Sequence, residues 1–379
     1  MNKSCLIGFL MCYAFSLVVQ AATDGEHITK TISQIERKKG IKRTIQYRPD
    51  GNDFVCVNGK NRYTRALYGG ITDFRIETSD RPVFATYKPK DSKHICFRLQ
   101  CGNQSIALDS LKFCEARYRA GRRTYRLTDP LLGKGELNIS VLAFPDAEGG
   151  IWRFTMKDMP EGALLHCYIS EIRAKNLSRN GDMGADRADS FDAPQLPKEQ
   201  KHYKLSLDGT TAYIVVEDQE LRLPALVEGT SLYDKSEKWR SEIESSLQIS
   251  TPDPYFNPLG GALAAAADGI WDGKIWLHGA IGWRSQLNGW RAAYIGDFIG
   301  WHDRARTHFD SYAASQVTDV PATIPHPTQD TALHLARSVK KWGTPHYSNG
   351  YICRTPYRKD QMHHYDMNLC YIDELLWHF

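Results

Sequence analysis

The chain has 379 residues, with 48 Lys and Arg against 44 Asp and Glu and a formal net charge of +4. That mild excess is no electrostatic footprint for nucleic acid. A chain of this length can bury more than one core, so two or three domains are expected.

Residues 1–22 read as an export signal. Lys3 supplies the positive end, Leu6 to Val19 the apolar stretch, and Val19-Gln20-Ala21 a small-residue cleavage site. The apolar stretch is too short to span a bilayer comfortably, and no later segment is apolar enough to cross one. The mature chain is expected to be exported, to the periplasm or the exterior, and to leave the membrane once the signal is removed.

Seven cysteines follow the signal: Cys56, Cys96, Cys101, Cys114, Cys167, Cys353 and Cys370. An odd number cannot all pair within one chain. Cys96 and Cys101 sit five apart, so on one strand they point to opposite faces. Most are read as small buried hydrophobes, with at most a bridge or two. No Cys-x-x-Cys pair occurs, so neither a structural zinc nor any other cofactor is expected.

From about residue 40 to 245 the period is two. Ile41, Arg43, Ile45 and Tyr47 alternate with polar neighbours. Asn58-Gly59 between 54–57 and 62–67 predicts a hairpin, because both residues tolerate positive φ. Apolar runs then recur to Val216, with Asp208-Gly209 joining 203–207 to 212–216, and no amphipathic helix interrupts them. Arg117, Arg119, Arg122, Arg123 and Arg126 form the densest basic cluster. It could meet an acidic partner such as a uronate, but the wet face of a hairpin turning at Ala120-Gly121 is the favoured reading. The pattern predicts a large antiparallel β-sandwich over 23–245. Within it, 177–201 is a long polar loop.

Pro252, Pro254 and Pro258 mark a linker over 246–258, after which the period becomes 3.6. Asn257 can cap a helix with Pro258 at its first position. Trp301, Ala305, Phe309 and Tyr312 share one helical face, and Ala332, Leu335, Ala336, Val339 and Trp342 form another stripe. A last helix runs from about Asp366 to Phe379, with Leu369, Ile372, Leu376 and Phe379 on one side and Met367, Cys370 and Tyr371 on a second. The chain stops inside that apolar helix, so the domain over 259–379 is expected to be incomplete.

Five of the nine tryptophans fall between Trp271 and Trp301, interleaved with Arg284, Arg291, Asp297, His302, Asp303 and Arg306. That mixture suits a hollow that stacks flat apolar faces and hydrogen-bonds their rims. Sugars present both, which makes an oligosaccharide or polysaccharide the expected partner.

The order of export signal, sandwich, Pro-rich linker and Trp-rich helices resembles the six-hairpin glycosidase group. NGKNRYTRALYGG, YFNPLGGALAAAADG, LNGWRAAYIGDFIGWHDRARTHFDSYA and HHYDMNLCYID more closely resemble an uncharacterised secreted family of polysaccharide-degrading Bacteroidetes. The resemblance covers most of the mature chain. It implies a β + α multidomain fold: the large antiparallel β-sandwich, followed by the first helices of an (α/α)6 toroid. It also implies a glycoside hydrolase, inactive if a partner carboxylate lies on later helices.

Glycoside hydrolysis uses paired carboxylates. Asp297, Asp303 and Asp366 are the candidates. Asp297 and Asp366 serve equally well as helix caps, and Asp303 suits a first helical turn without any catalytic role. Asp373 and Glu374 read as a polar flank. Trp283, Trp290 and Trp301 are the stacking candidates. Arg291 and Arg306 could meet a sugar carboxylate or pair with Asp297 and Asp303. His302, His364, Tyr365 and Asn368 complete the substrate-binding set. A metal would need a third ligand such as His346, and the spacing fits no zinc motif. Two alternatives stay open: a non-catalytic carbohydrate-binding protein, and a toroid lyase using His364, Tyr365, Asn368 and Arg291.

Overall fold

The computed structural model describes residues 46–182, 185–187, 189–288, 293–318, 329–330, 335–336, 350–356 and 365–378. The expected export signal and the alternating residues from Ile41 to Ile45 lie outside them.

The chain runs through β1 (Arg48–Asp50) and β2 (Asp53–Val57), then crosses to β3 (Arg65–Tyr68), β4 (Arg75–Thr78), β5 (Val83–Lys88), β6 (Asp91–Cys101) and β7 (Gln104–Ala107). It returns through β8 (Phe113–Arg119), β9 (Arg122–Thr128), β10 (Glu136–Ala143) and β11 (Gly149–Lys157). It crosses again to β12 (Leu164–Glu171) and β13 (Gln200–Ser206), and comes back to β14 (Thr211–Glu217) and β15 (Glu220–Arg222). An 8-stranded sheet has the order β1-β2-β8-β9-β10-β11-β14-β15. A 7-stranded sheet has the order β13-β12-β6-β5-β4-β3, with β7 on β6.

The two sheets share a core because each strand alternates. Phe84 of β5 and Phe97 of β6 face Tyr125 of β9 and Trp152 and Phe154 of β11. Phe84 meets Tyr125 and Trp152 edge-on, with ring centroids 5.6 and 5.7 Å apart. Phe97 meets Phe154 at 5.6 Å. Such edge contacts add about 0.5–1.5 kcal/mol each beyond the area they bury. The outer face of the 7-stranded sheet is also covered. Phe191, from the long polar loop, packs on Tyr63, Ala85 and Tyr87, and Arg75 donates to the Asn180 carbonyl.

Two turn signals behave differently from expectation. Asn58 does take a positive φ of 50°, but β2 pairs with β8 and β3 with β4. Asn58-Gly59 therefore carries the chain between sheets instead of closing a hairpin. Asp208-Gly209 does the same, since β13 pairs with β12 and β14 with β11. A positive-φ dipeptide fixes a sharp turn but not the partner of the strand that follows. Ala120-Gly121 is the expected hairpin turn, with Arg119 opposite Arg122. All seven described cysteines are free thiols, four of them buried.

Sheet structure ends at Arg222, and α1 (Leu226–Ser245) occupies a stretch expected to belong to the period-two sandwich. Its buried positions are Gly229, Tyr233, Ser236, Arg240 and Ile243. The spacing is helical, but glycine, serine and arginine hide it from a hydrophobic count. Gly229 is required here: a Cβ would lie 2.3 Å from the Tyr213 ring of the 8-stranded sheet.

After the Pro-rich segment come α2 (Leu259–Gly269), α3 (Tyr294–Phe298), α4 (His302–Ala313) and α5 (Tyr365–His378). Asn257 does not cap α2. Its carboxamide oxygen accepts the Thr251 N–H at 2.7 Å, and Pro258 holds the cap position. Of the stripe expected over 332–342, Leu335–Ala336 is described, and it pairs as a short antiparallel ladder with Gln329–Asp330. Ile275, Trp276, Leu277, Ala305, Phe309, Tyr312 and Tyr371 form a second core. Gly296 of α3 closes on it, because a Cβ there would lie 2.5 Å from the Trp276 ring. On α5, Met367 and Tyr371 are buried while Leu369, Ile372, Leu376 and Trp377 are exposed. The described helices thus form a small cluster beside two antiparallel sheets. Among the described residues no helix is long and apolar enough to cross a membrane.

His308 lies inside this second core. Its Nδ1 accepts the Trp276 N–H at 3.1 Å, and burial pushes its pKa down to about 3. Below the ordinary value near 6.5 the unfolded chain gains a proton that the folded chain refuses. Stability is therefore whole above that value and falls as the pH drops, by up to about 1.4 kcal/mol per unit. His308→Gln, which keeps an acceptor without the titration, is expected to flatten the decline of Tm from about pH 6 to about pH 4. An unchanged slope in thermal melts would contradict this.

Candidate functional site

The residues from Asp268 to Ser285 make a folded strap between α2 and the sheets. Trp271 bridges to Trp276 across a tight turn. The Asp272 carboxylate closes that turn by accepting the Lys274 and Ile275 N–H groups at 2.9 and 2.8 Å, and Gly273 supplies a φ of 96°. Thr72, in the β3–β4 loop, donates its hydroxyl to the Trp271 carbonyl at 2.7 Å. Arg284 returns the tie. It donates to Thr72 Oγ1 at 3.0 Å, to the Asp73 carboxylate at 2.9 Å and to the Gly269 carbonyl at 3.0 Å.

A cleft of about 530 Å³ opens where this strap meets the 7-stranded sheet. Asp73 and Asp272 bring carboxylates to it, Asn180 and Gln286 bring amides, and Arg284 and Arg354 bring guanidiniums. Tyr87 supplies an aromatic wall, stiffened by the Arg75 guanidinium 3.8 Å from its ring centre. Arg354 is itself positioned, with Nε donating to the Gln286 carbonyl at 2.9 Å. Next to the cleft, burial and the Arg354 charge hold the His278 pKa below its ordinary value, so that imidazole is neutral near pH 7. Trp283, one residue before Arg284, stays 50% exposed. The Arg179 guanidinium covers one side of its indole at 4.1 Å.

The expected carboxylates do not gather here. Asp297, on α3, accepts from His302 Nδ1 at 2.7 Å and from His378 Nδ1 at 2.9 Å. It ties the start of α4 to the end of α5, and it caps neither helix, since Trp301 holds the α4 cap position without a side-chain bond. Asp366 is exposed in the first turn of α5, at the end opposite His378. That helix has 14 residues and is roughly 20 Å long. Glycosidase carboxylates stand about 5–9.5 Å apart, so Asp297 and Asp366 cannot flank one bond in this arrangement. Asp303 is fully exposed, 3.9 Å from Arg306, which is also exposed.

The other expected residues divide. His302 is exposed and held by Asp297. Trp301 is partly buried, with its indole N–H donating to Ser246 Oγ at 3.1 Å and the Arg304 guanidinium over its face at 4.3 Å. That guanidinium pairs with buried Asp268 at 2.8 Å and also lies over the Trp271 ring at 5.6 Å, so the Trp301 ring is held in a structural contact. The Asn368 amide clamps the Ile352 backbone in both directions, at 2.7 and 3.0 Å. Trp290, Arg291, His346 and His364 lie outside the described residues, as does the side chain of Tyr365. No group of three or more metal-ligating side chains occurs among the described residues.

Residues 89–216, from the β5–β6 turn to β14, match the family model of a domain of unknown function, DUF4450. No curated protein matches the chain. Among solved structures it is similar to a bacterial glucoamylase complexed with acarbose, at 9% identity and a TM-score of 0.35. The likeness covers 70% of this chain and 55% of that one, so the chain spans about half the length of that relative. A TM-score this low assigns neither fold nor activity.

If Asp297 is a tie between helices, its loss leaves two imidazoles without an acceptor. Asp297→Ala is expected to cost about 1–3 kcal/mol in urea unfolding, against about 0.5 kcal/mol or less for Asp303→Ala and Asp366→Ala. Equal effects for all three would remove the tie.

Proposed function

We propose that the chain is an exported, carbohydrate-active protein and that the cleft beside Arg284 binds a neutral oligosaccharide. One observation carries the reading: carboxylates, amides and guanidiniums ring a single hollow with a fixed aromatic wall at Tyr87. Hydroxyl rims need acceptors and donors together, and a sugar's C–H face needs a rigid ring. Export rests on the composition of residues 1–22.

A second reading is glycoside hydrolysis on plant or host polysaccharide. It is favoured by Asp73 and Asp272 sharing that cleft, and not by the pairing of Asp297 with Asp366. A lyase gains less support, because the Asn368 amide is engaged by the Ile352 backbone.

Calorimetric titration with neutral plant and host oligosaccharides tests the proposal. At least one is expected to bind, with affinity about tenfold weaker in Asp73→Ala and unchanged in Asp366→Ala. Release of new reducing ends that Asp272→Asn abolishes would establish the second reading. Absence of binding to the whole panel would overturn the first.

A further inference from the structure

The outer face of the 8-stranded sheet carries a second hollow, on the opposite side of the sandwich from the 7-stranded sheet's outer face. The pleat builds it. Arg117, Thr124, Ser140 and Arg153 face each other in one row across β8, β9, β10 and β11. Glu115, Arg126, Asn138 and Thr155 form the next row. Together they line a cleft of about 310 Å³, with short hydroxyl and amide side chains on the floor and guanidiniums at both ends.

Most of these guanidiniums are neutralised. Arg117 meets Glu115 at 2.8 Å and Asp50 at 2.8 Å. Arg126 meets Glu115 and Glu136 at 3.4 Å. Arg122 reaches Glu237 of α1 at 2.8 Å. Arg153 differs: it has no carboxylate or hydrogen-bond partner among the described residues. Its guanidinium lies 3.8 Å above the ring of Tyr233, a residue of α1 that is buried and whose hydroxyl is held by Ser140 Oγ at 2.7 Å. Its Nε is sealed from solvent without a partner, while its Nη groups are not. The cation is therefore stacked, oriented and uncompensated. A planar fork of this kind matches a two-oxygen anion.

We propose that this cleft is an anion-binding subsite for an acidic sugar, with Arg153 gripping the oxyanion and Thr124, Asn138 and Thr155 taking the ring hydroxyls. The oxyanion is either the carboxylate of a uronic acid or a sulfate ester. The site is separate from the cleft beside Arg284, so the two fail independently.

The test is calorimetry at low and at raised salt with three ligands: a uronic acid oligosaccharide, a sulfated oligosaccharide and a neutral one of equal length. One of the acidic sugars is expected to bind wild type, to weaken at least tenfold with Arg153→Gln, and to weaken as salt rises. The neutral sugar's affinity is expected to be unaffected by Arg153→Gln. Should that variant melt early, Thr155→Val decides, with an expected loss of threefold or more for the same acidic sugar. The proposal is overturned if neither acidic sugar binds wild type. It is also overturned if Arg153→Gln, where folded, changes the Kd by less than twofold, or if free sulfate binds as tightly as the sugars.

Discussion

Arg284 ties two parts of the chain that are about 200 residues apart in sequence. Its guanidinium is only 10% exposed, and it joins Asp73 and Thr72 of the β3–β4 loop to the Gly269 carbonyl at the end of α2. Thr72 completes the circuit by donating to the Trp271 carbonyl. A nearly buried cation is tolerable only when its donors are satisfied, and here three acceptors meet the fork. The strap from Asp268 to Ser285 cannot swing away without stranding them. The cleft owes its shape to that constraint, because its walls come from both sides of the tie.

The same logic separates the inside of the helical cluster from its outer surface. Inside it, polar groups are locked in pairs: Asp268 with Arg304, Asn368 with the Ile352 backbone, Asn288 with the Ile352 carbonyl. On its outer side, α5 turns Leu369, Ile372, Leu376 and Trp377 outward, and Phe298 of α3 approaches Trp377 at 6.4 Å. The tryptophan-rich stretch is thus a joint between layers. Trp276 is core, Trp301 is covered by Arg304, and Trp283 is half exposed.

The period-two pattern announced the sandwich because burial on one face repeats in every strand. It could not show which strands pair. Asn58-Gly59 and Asp208-Gly209 look alike in sequence whether the next strand stays in its sheet or leaves it. Helix α1 is illegible for a different reason: its inner face sets Gly229, Ser236 and Arg240, which pack by fit and ion pairing, between Tyr233 and Ile243 and so breaks the hydrophobic stripe. For the proposed site, mixing aromatics with charges singles out the segment that carries Asp272 and Arg284, but weights it toward Asp297 and Asp366, which do not line the cleft. The residues that line the cleft come from five distant places, Asp73, Tyr87, Asn180, Asp272 and Arg354, and only tertiary structure unites them. Of the arginine cluster at 117–126, expected as a wet hairpin face, Arg117, Arg119, Arg122 and Arg126 lie on that face and pair with nearby acids, whereas Arg123 points inward, fully buried, 3.7 Å from Asp80. Arg153, the unpaired neighbour, comes from a strand that the cluster does not include.

The claim on which the rest depends is that Arg284 fastens the strap to the β3–β4 loop. Hydrogen–deuterium exchange on Arg284→Met against wild type tests it directly. Protection is expected to fall together in 69–74 and 270–288 while β9, β10 and β11 keep theirs. Unchanged exchange in both segments, in a variant that still folds, would contradict the account.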